Sequence, residues 1–180
     1  MEVLRTIALY VEDKDMPFIV IGGHAINAYG ISRQTGDIDL LIQKSQKDKW
    51  VELLSRLNYK LGQNDDKFAR FRHDQIGAWP IDLMLVDNDT FSKFLTDSSW
   101  NTIGVAKVRL VSARHLALLK IHALKHYQEH RYVKDYTDLI SLLRTGLTGI
   151  SDLDLRAFCE RYAGLKLYDK IKADLSEGKD

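Results

Sequence analysis

The chain has 180 residues, 45% of them hydrophobic and 28% charged, with two prolines and one cysteine, Cys159. That length buries a real core and fits one domain or an α/β core with appended helices; two prolines exclude a long proline-rich linker. The net charge of +1 does not by itself point to nucleic acid, and a lone cysteine allows no disulfide within the chain, which suits a reducing compartment.

The N-terminus, MEVLRTIALYVEDKD, is too charged for a signal peptide, and no apolar run approaches the ~18 residues that span a bilayer. The expectation is a soluble, cytoplasmic protein without a membrane partner. In chain order, Val3, Leu4, Ile7, Ala8 and Val11 have helical spacing, and Pro17 stops that helix. Phe18 to Ile21 read as a buried strand ended by Gly22-Gly23. A short helix from His24 to Tyr29 is closed by Gly30. Asp37 to Ile42 is a second strand. Ser45 is placed to cap a helix carrying Trp50, Leu53, Leu54 and Leu57.

Lys67 to Arg72 alternates like a half-exposed strand, and Pro80 to Val86 is another strand with its proline at the start. Thr90 to Leu95 reads as a short helix and Lys107 to Leu110 as a last strand. Ser112 then caps a long helix through Tyr127 with Leu116, Leu119, Ala123 and Leu124 facing inward. A helix over about Lys134 to Arg144 precedes Gly146, and two amphipathic segments follow, Asp152 to Tyr162 and Leu165 to Leu175. This order predicts an α/β (α+β) fold: a mixed-sheet core over residues 1–111 and a C-terminal helical part, 112–180, packed on it.

Asp37 and Asp39 are two apart in a strand-like run, so their carboxylates share a face while Ile38 and Leu40 point inward. Two such charges repel by about 4 kcal/mol at an effective dielectric near 20. A divalent cation with a preference for oxygen ligands is the natural counterweight. Asp82 is a lone acid in the apolar run PIDLML. If that strand pairs beside DIDLLI, three carboxylates converge and can hold two magnesium ions about 4 Å apart, the arrangement of nucleotidyl transfer. An isolated D-x-D more often marks a strand end at the surface.

Gly22-Gly23 shifts the balance. It lies between a strand and a helix, where backbone N–H groups receive phosphate and glycine permits close approach. It is followed by Arg33, Thr35 and then the paired acids. The stretch GGHAINAYGISRQTGDIDLLI resembles the signature of polymerase-β-like nucleotidyltransferases, with Gly22, Gly23, Asp37, Asp39 and Asp82 in the family's places. The pattern R-x-T-x-D-I-D-L is similar to the AbiEii/MenT toxin nucleotidyltransferases, and also to small antibiotic-modifying nucleotidyltransferases. A glycine stands after Gly22 where the broader superfamily commonly has serine, and the chain is short beside many such toxins. LALLKIHALKHYQEHRYVKDYTDL resembles the AbiEii-like lysine helix and the acidic helix after it, with Lys120, Asp135 and Asp138 matching.

The resemblance implies a polymerase-β-like fold and transfer of a nucleoside monophosphate from an NTP, with Mg²⁺ on Asp37, Asp39 and Asp82. Gly22, Gly23, Arg33, Thr35 and Lys120 would contact the nucleotide. It further implies a tRNA or other RNA acceptor and a cognate antitoxin partner. Lys120 lies on an apolar helix, which is costly unless its ammonium reaches an anion or water. Asp135 reads either as a general base, as an anchor that orients Lys120, or simply as an acid in a helix's first turn. Between Lys107 and Lys134 there are seven Lys or Arg against one acid, Glu129. Such a stretch suits an RNA backbone or a solvated helix face. Tyr127 and Tyr132 suit base stacking or packing. His122, His126 and His130 have zinc-compatible spacing but no accompanying motif. The rivals to an RNA-modifying enzyme are a small-molecule nucleotidyltransferase and a non-catalytic binding module.

Overall fold

Helical spacing at the N-terminus folds as α1, Glu2–Val11, which buries Leu4, Ile7 and Val11 along one stripe. The structure, a computed structural model, describes residues 2–125 and 129–177. It divides into two compact units, Met1–Val111 and Ser112–Asp180. Among the described residues no helix is long and apolar enough to cross a membrane.

In the first unit the apolar run at 18–21 forms β1, Ile19–Val20, which leads straight into α2, Gly22–Ala28. The glycine pair is thus the first turn of the helix rather than a turn ahead of it. β2 spans Ile38–Gln43, with Asp37 one residue before it. Ser45 does not cap the next helix. It lies in a 3-10 turn, Lys44–Gln46, and its hydroxyl donates to Asn88 Oδ1 at 2.9 Å. That leaves α3, Lys47–Arg56, without a side-chain cap, though it buries Trp50, Leu53 and Leu54 as its spacing requires.

The remaining elements of this unit are β3 (Tyr59–Asn64), β4 (Phe68–His73), β5 (Ile81–Val86), α4 (Asn88–Asp97), β6 (Ser99–Ile103) and β7 (Ala106–Leu110). α4 begins before Thr90 because the Asp87 carboxylate accepts from the Thr90 N–H at 2.8 Å. The strands make one seven-stranded sheet, ordered β3-β4-β5-β2-β1-β7-β6. β2 is parallel to β5 and β1 parallel to β7, while the other pairs are antiparallel, so the sheet is mixed as expected. β3 and β6, which hydropathy does not predict, are its two edges. β3 buries only Tyr59 and β6 only Ile103, so neither shows apolar alternation. The central β2 and β5 bury Ile38, Leu40, Leu41, Ile42, Ile81, Leu83 and Leu85.

The second unit holds α5 (Ala113–Lys125), α6 (Glu129–Arg144), α7 (Asp152–Tyr162) and α8 (Leu165–Ser176). Ser112 caps α5, accepting from the His115 N–H at 3.2 Å. Leu116 and Leu124 are buried and Leu119 half-buried, but Ala123 is exposed and Lys120 is buried in its stead. The expected helix end at Tyr127 falls outside the described residues. α7 starts with a reciprocal capping box between Ser151 and Asp154. Cys159 is buried there, and burial pushes its thiol up to about 11.

Candidate functional site: three carboxylates and a glycine turn

Parallel pairing of β2 with β5 sets Asp39 directly beside Asp82 in register. Carboxylate oxygens of Asp37, Asp39 and Asp82 all lie within 4.8 Å of one another. Asp82 is 3% exposed; the other two are half-buried. Thr35 donates its hydroxyl to Asp37 Oδ1 at 3.1 Å and so aims that carboxylate. Three hard oxygen donors converging from two strands are a donor set that suits a magnesium-type ion.

The glycines press against these side chains. Ile21 N–H donates to the Asp39 carbonyl at 3.0 Å, which lays Gly22 over Asp39. Gly22 has φ +63°, and a Cβ there would sit 1.9 Å from Asp39 Oδ2. A Cβ on Gly23 would meet Arg33 Nη1 at 1.8 Å and Thr35 Oγ1 at 2.5 Å. Bare backbone at 22 and 23 is therefore a packing requirement of Asp39, Arg33 and Thr35 as well as an approach for a ligand. Gly22→Ala should cost about 1–2 kcal/mol for its left-handed backbone. Because it must also displace Asp39, a reaction that uses that carboxylate should slow about 100-fold. Urea midpoints and kcat/KM read the two effects separately, and an unchanged kcat/KM would refute the displacement.

Sequence reasoning missed Arg70. β4 lies antiparallel to β5 with Arg70 opposite Asp82. Arg70 Nε donates to Asp82 Oδ1 at 2.7 Å and Nη2 donates to Oδ2; Nη2 is also 3.9 Å from Asp37 Oδ2. The guanidinium is held protonated more firmly than usual, chiefly by the hydrogen bond to Asp82 and against the cost of burial. The signal available was an arginine between Ala69 and Phe71 in an alternating strand.

His24, also unpredicted, is 7% exposed and stacks on Trp79 with ring centroids 5.0 Å apart. Its Nε2 finds no hydrogen-bond partner among the described residues. Burial makes the ring harder to protonate than a free histidine, with Asp37 pulling the other way. The unfolded chain takes this proton near pH 6.5 and the folded protein only lower, so the stability linked to His24 is full above pH 6.5 and drains below it. The wild type should therefore lose more of its urea midpoint between pH 7.5 and 5.5 than His24→Leu; equal slopes would contradict this.

The second unit has its own charge cluster. Lys120, 6% exposed, donates its ammonium to Asp135 Oδ1 and Asp138 Oδ2, both at 2.6 Å, tying α5 to α6. Lys120 is thus no surface lysine. Asp135 lies well inside α6, since that helix begins at Glu129, so first-turn placement does not explain it. Three more cations of the basic stretch contact protein groups: Arg114 pairs with Asp154 at 3.3 Å, and Lys107 and Arg109 lie over the Trp100 ring. Tyr132 stacks on Tyr136. His122 packs edge-on to Tyr162. His126, Tyr127 and the side chain of His130 lie outside the described residues.

The fold is that of solved nucleotidyltransferases. The structure of ANT(2")-Ia in complex with adenylyl-2"-tobramycin aligns with a TM-score of 0.63 at 16% identity, over 91% of this chain and 100% of that one. An antigenic nucleotidyltransferase-like protein from Paracoccidioides brasiliensis gives 0.60 at 15% identity, over 99% and 87%. The lincosamide antibiotic adenylyltransferase LnuA, lincomycin-bound, gives 0.57 at 17% identity, over 79% and 95%. No curated protein matches the sequence. The model of the nucleotidyl transferase AbiEii toxin family, of the type IV toxin–antitoxin system, matches residues 4–177. With its paired acids, its glycine turn and this match over nearly its whole length, the chain belongs to the AbiEii nucleotidyltransferase toxin family.

Proposed function

We propose that this nucleotidyltransferase moves a nucleoside monophosphate from an NTP to a hydroxyl of tRNA or another RNA, with pyrophosphate leaving, in the cytoplasm. The observation that carries the reading is the convergence of Asp37, Asp39 and Asp82 under the Gly22 backbone. These three carboxylates would hold Mg²⁺. When bound, the metal supplies charge stabilisation for the attacking and leaving oxygens. Asp82 would draw the proton of the acceptor hydroxyl. The Gly22 and Gly23 backbone would receive the β- and γ-phosphates, with Arg33 adding positive charge and Thr35 holding Asp37 in aim. Positioning and electrostatics would then supply most of the catalysis, as in phosphoryl transfer generally. Lys120 and Asp135 are assigned here to holding α5 against α6. The family's type IV setting supports a cognate antitoxin that restrains the activity.

A small-molecule acceptor is the second reading. In its favour, four of the seven cations of the basic stretch, Lys107, Arg109, Arg114 and Lys120, lie against Trp100, Asp154, Asp135 and Asp138, which leaves fewer for an RNA backbone. One experiment separates the two: incubation with Mg²⁺, each of the four α-³²P-labelled NTPs, and either total tRNA or a panel of lincosamides and aminoglycosides. Label on tRNA supports the RNA reading. Label only on an antibiotic replaces it with the second, and label on neither rules out both tRNA and these antibiotics as the acceptor.

A further inference from the structure

Asp82 uses both carboxylate oxygens on one side chain. Arg70 reaches it from the neighbouring strand in a two-pronged fork, Nε to Oδ1 and Nη2 to Oδ2. The same Nη2 lies 3.9 Å from Asp37, so one guanidinium faces two of the three acids. Opposite register of β4 and β5 at Arg70 and Asp82 makes this a property of the sheet, not of a mobile loop. Arg70 is partly exposed, at 25% of its side chain, against 3% for Asp82, so the arginine has room to withdraw and the acid has not.

A fork of this kind and a divalent ion are poor companions on one carboxylate. Both seek the same oxygen lone pairs, and a dication beside a guanidinium meets like-charge repulsion at close range. We propose that Arg70 is a displaceable counter-ion: it clasps Asp82 and must give up at least one of its oxygens when a divalent cation takes the triad. This rests on the reading of Asp37, Asp39 and Asp82 as the metal site, and it adds a control on loading. A nucleotide's triphosphate brings negative charge that offsets the guanidinium, so cation and NTP would bind together more readily than the cation alone. Arginine rather than lysine fits the role, because a planar fork covers both oxygens while an ammonium is a single point charge.

The alternative for such a residue is pure orientation, and the two roles differ in sign. Losing an orienting partner weakens metal binding by about 10–100-fold. Losing a competitor strengthens it. The test is Mn²⁺ titration of the full chain without nucleotide, read from the free-Mn²⁺ EPR signal, in wild type, Arg70→Gln, Arg70→Lys and Asp39→Asn. Arg70→Gln should bind Mn²⁺ about tenfold more tightly than wild type, a coupling of ordinary size. Arg70→Lys, which keeps the charge and loses the fork, should fall between and guards against misfolding of the glutamine variant. Addition of a non-hydrolysable NTP analogue should raise Mn²⁺ affinity more in wild type than in Arg70→Gln.

Equal or weaker Mn²⁺ binding by both Arg70 variants, with wild-type binding abolished in Asp39→Asn, would overturn the counter-ion role and leave the metal site standing. No Mn²⁺ binding by any of the proteins would overturn the metal site and the counter-ion with it.

Discussion

Asp39→Asn should lower nucleotidyl transfer by about 10³-fold or more, ~4 kcal/mol of barrier, while leaving the protein at least as stable as wild type. The two halves of this expectation come from the same geometry. Asp39 stands beside Asp82 across a parallel strand pair, and Asp37 is close to both. At such separations each like-charged pair costs about 3 kcal/mol at an effective dielectric near 20, and Arg70 supplies one positive charge against three negative ones. Asparagine keeps the shape that Gly22 packs against and removes one charge. The melting temperature without added metal should therefore hold or rise, and the increase that Mg²⁺ or Mn²⁺ gives the wild type should vanish. Turnover comparable to wild type would remove Asp39 from the reaction. A collapsed melting temperature would instead mean that the carboxylate is structural.

The second large effect concerns stability. Lys120→Met removes the ammonium that Asp135 and Asp138 share, and Asp138 is itself buried at 4% exposure. Breaking a buried ion pair from one side leaves an uncompensated charge and costs about 3–5 kcal/mol. Equilibrium urea denaturation should register that loss for Lys120→Met, and the triple variant Lys120→Met, Asp135→Asn, Asp138→Leu should recover much of it, since replacing a buried cluster by neutral groups is often close to neutral. If Lys120→Met cost no more than an exposed ion pair, about 1 kcal/mol or less, the cluster would be hydrated and would not clamp the helices.

Much of this protein could be read from hydropathy and spacing because those signals are local. Asp37 and Asp39 declare themselves by interrupting an apolar run two residues apart, and Asp82 by being the lone charge in PIDLML. Helices α1, α3, α7 and α8 follow from apolar periodicity. Their caps are less legible: Ser45 has the right residue type and the right place, but Asn88 takes its hydroxyl. The edge strands β3 and β6 escape notice for a related reason. An edge exposed on both faces has no buried side to enforce alternation, and its pairing comes from the neighbouring strand.

By itself the sequence determined the alternation that aims Asp39 away from the core residues Ile38 and Leu40, the acids that must share a face, and the glycines whose lack of a side chain had to serve something. Only the tertiary structure decided what these residues meet. Strand order and register, set by long-range pairing, put Asp82 next to Asp39 and Arg70 across from Asp82. No local pattern encodes that a half-exposed arginine in KFARFR will be the counter-ion of an acid twelve residues on. The same holds for Gly22 and Gly23, whose bareness answers to Asp39, Arg33 and Thr35 arriving from later in the chain. It holds too for Lys120, whose partners lie on the next helix. Side-chain period fixes the face a residue looks toward; the identity of its neighbour depends on which strands and helices pack together, and burial of the whole apolar surface decides that.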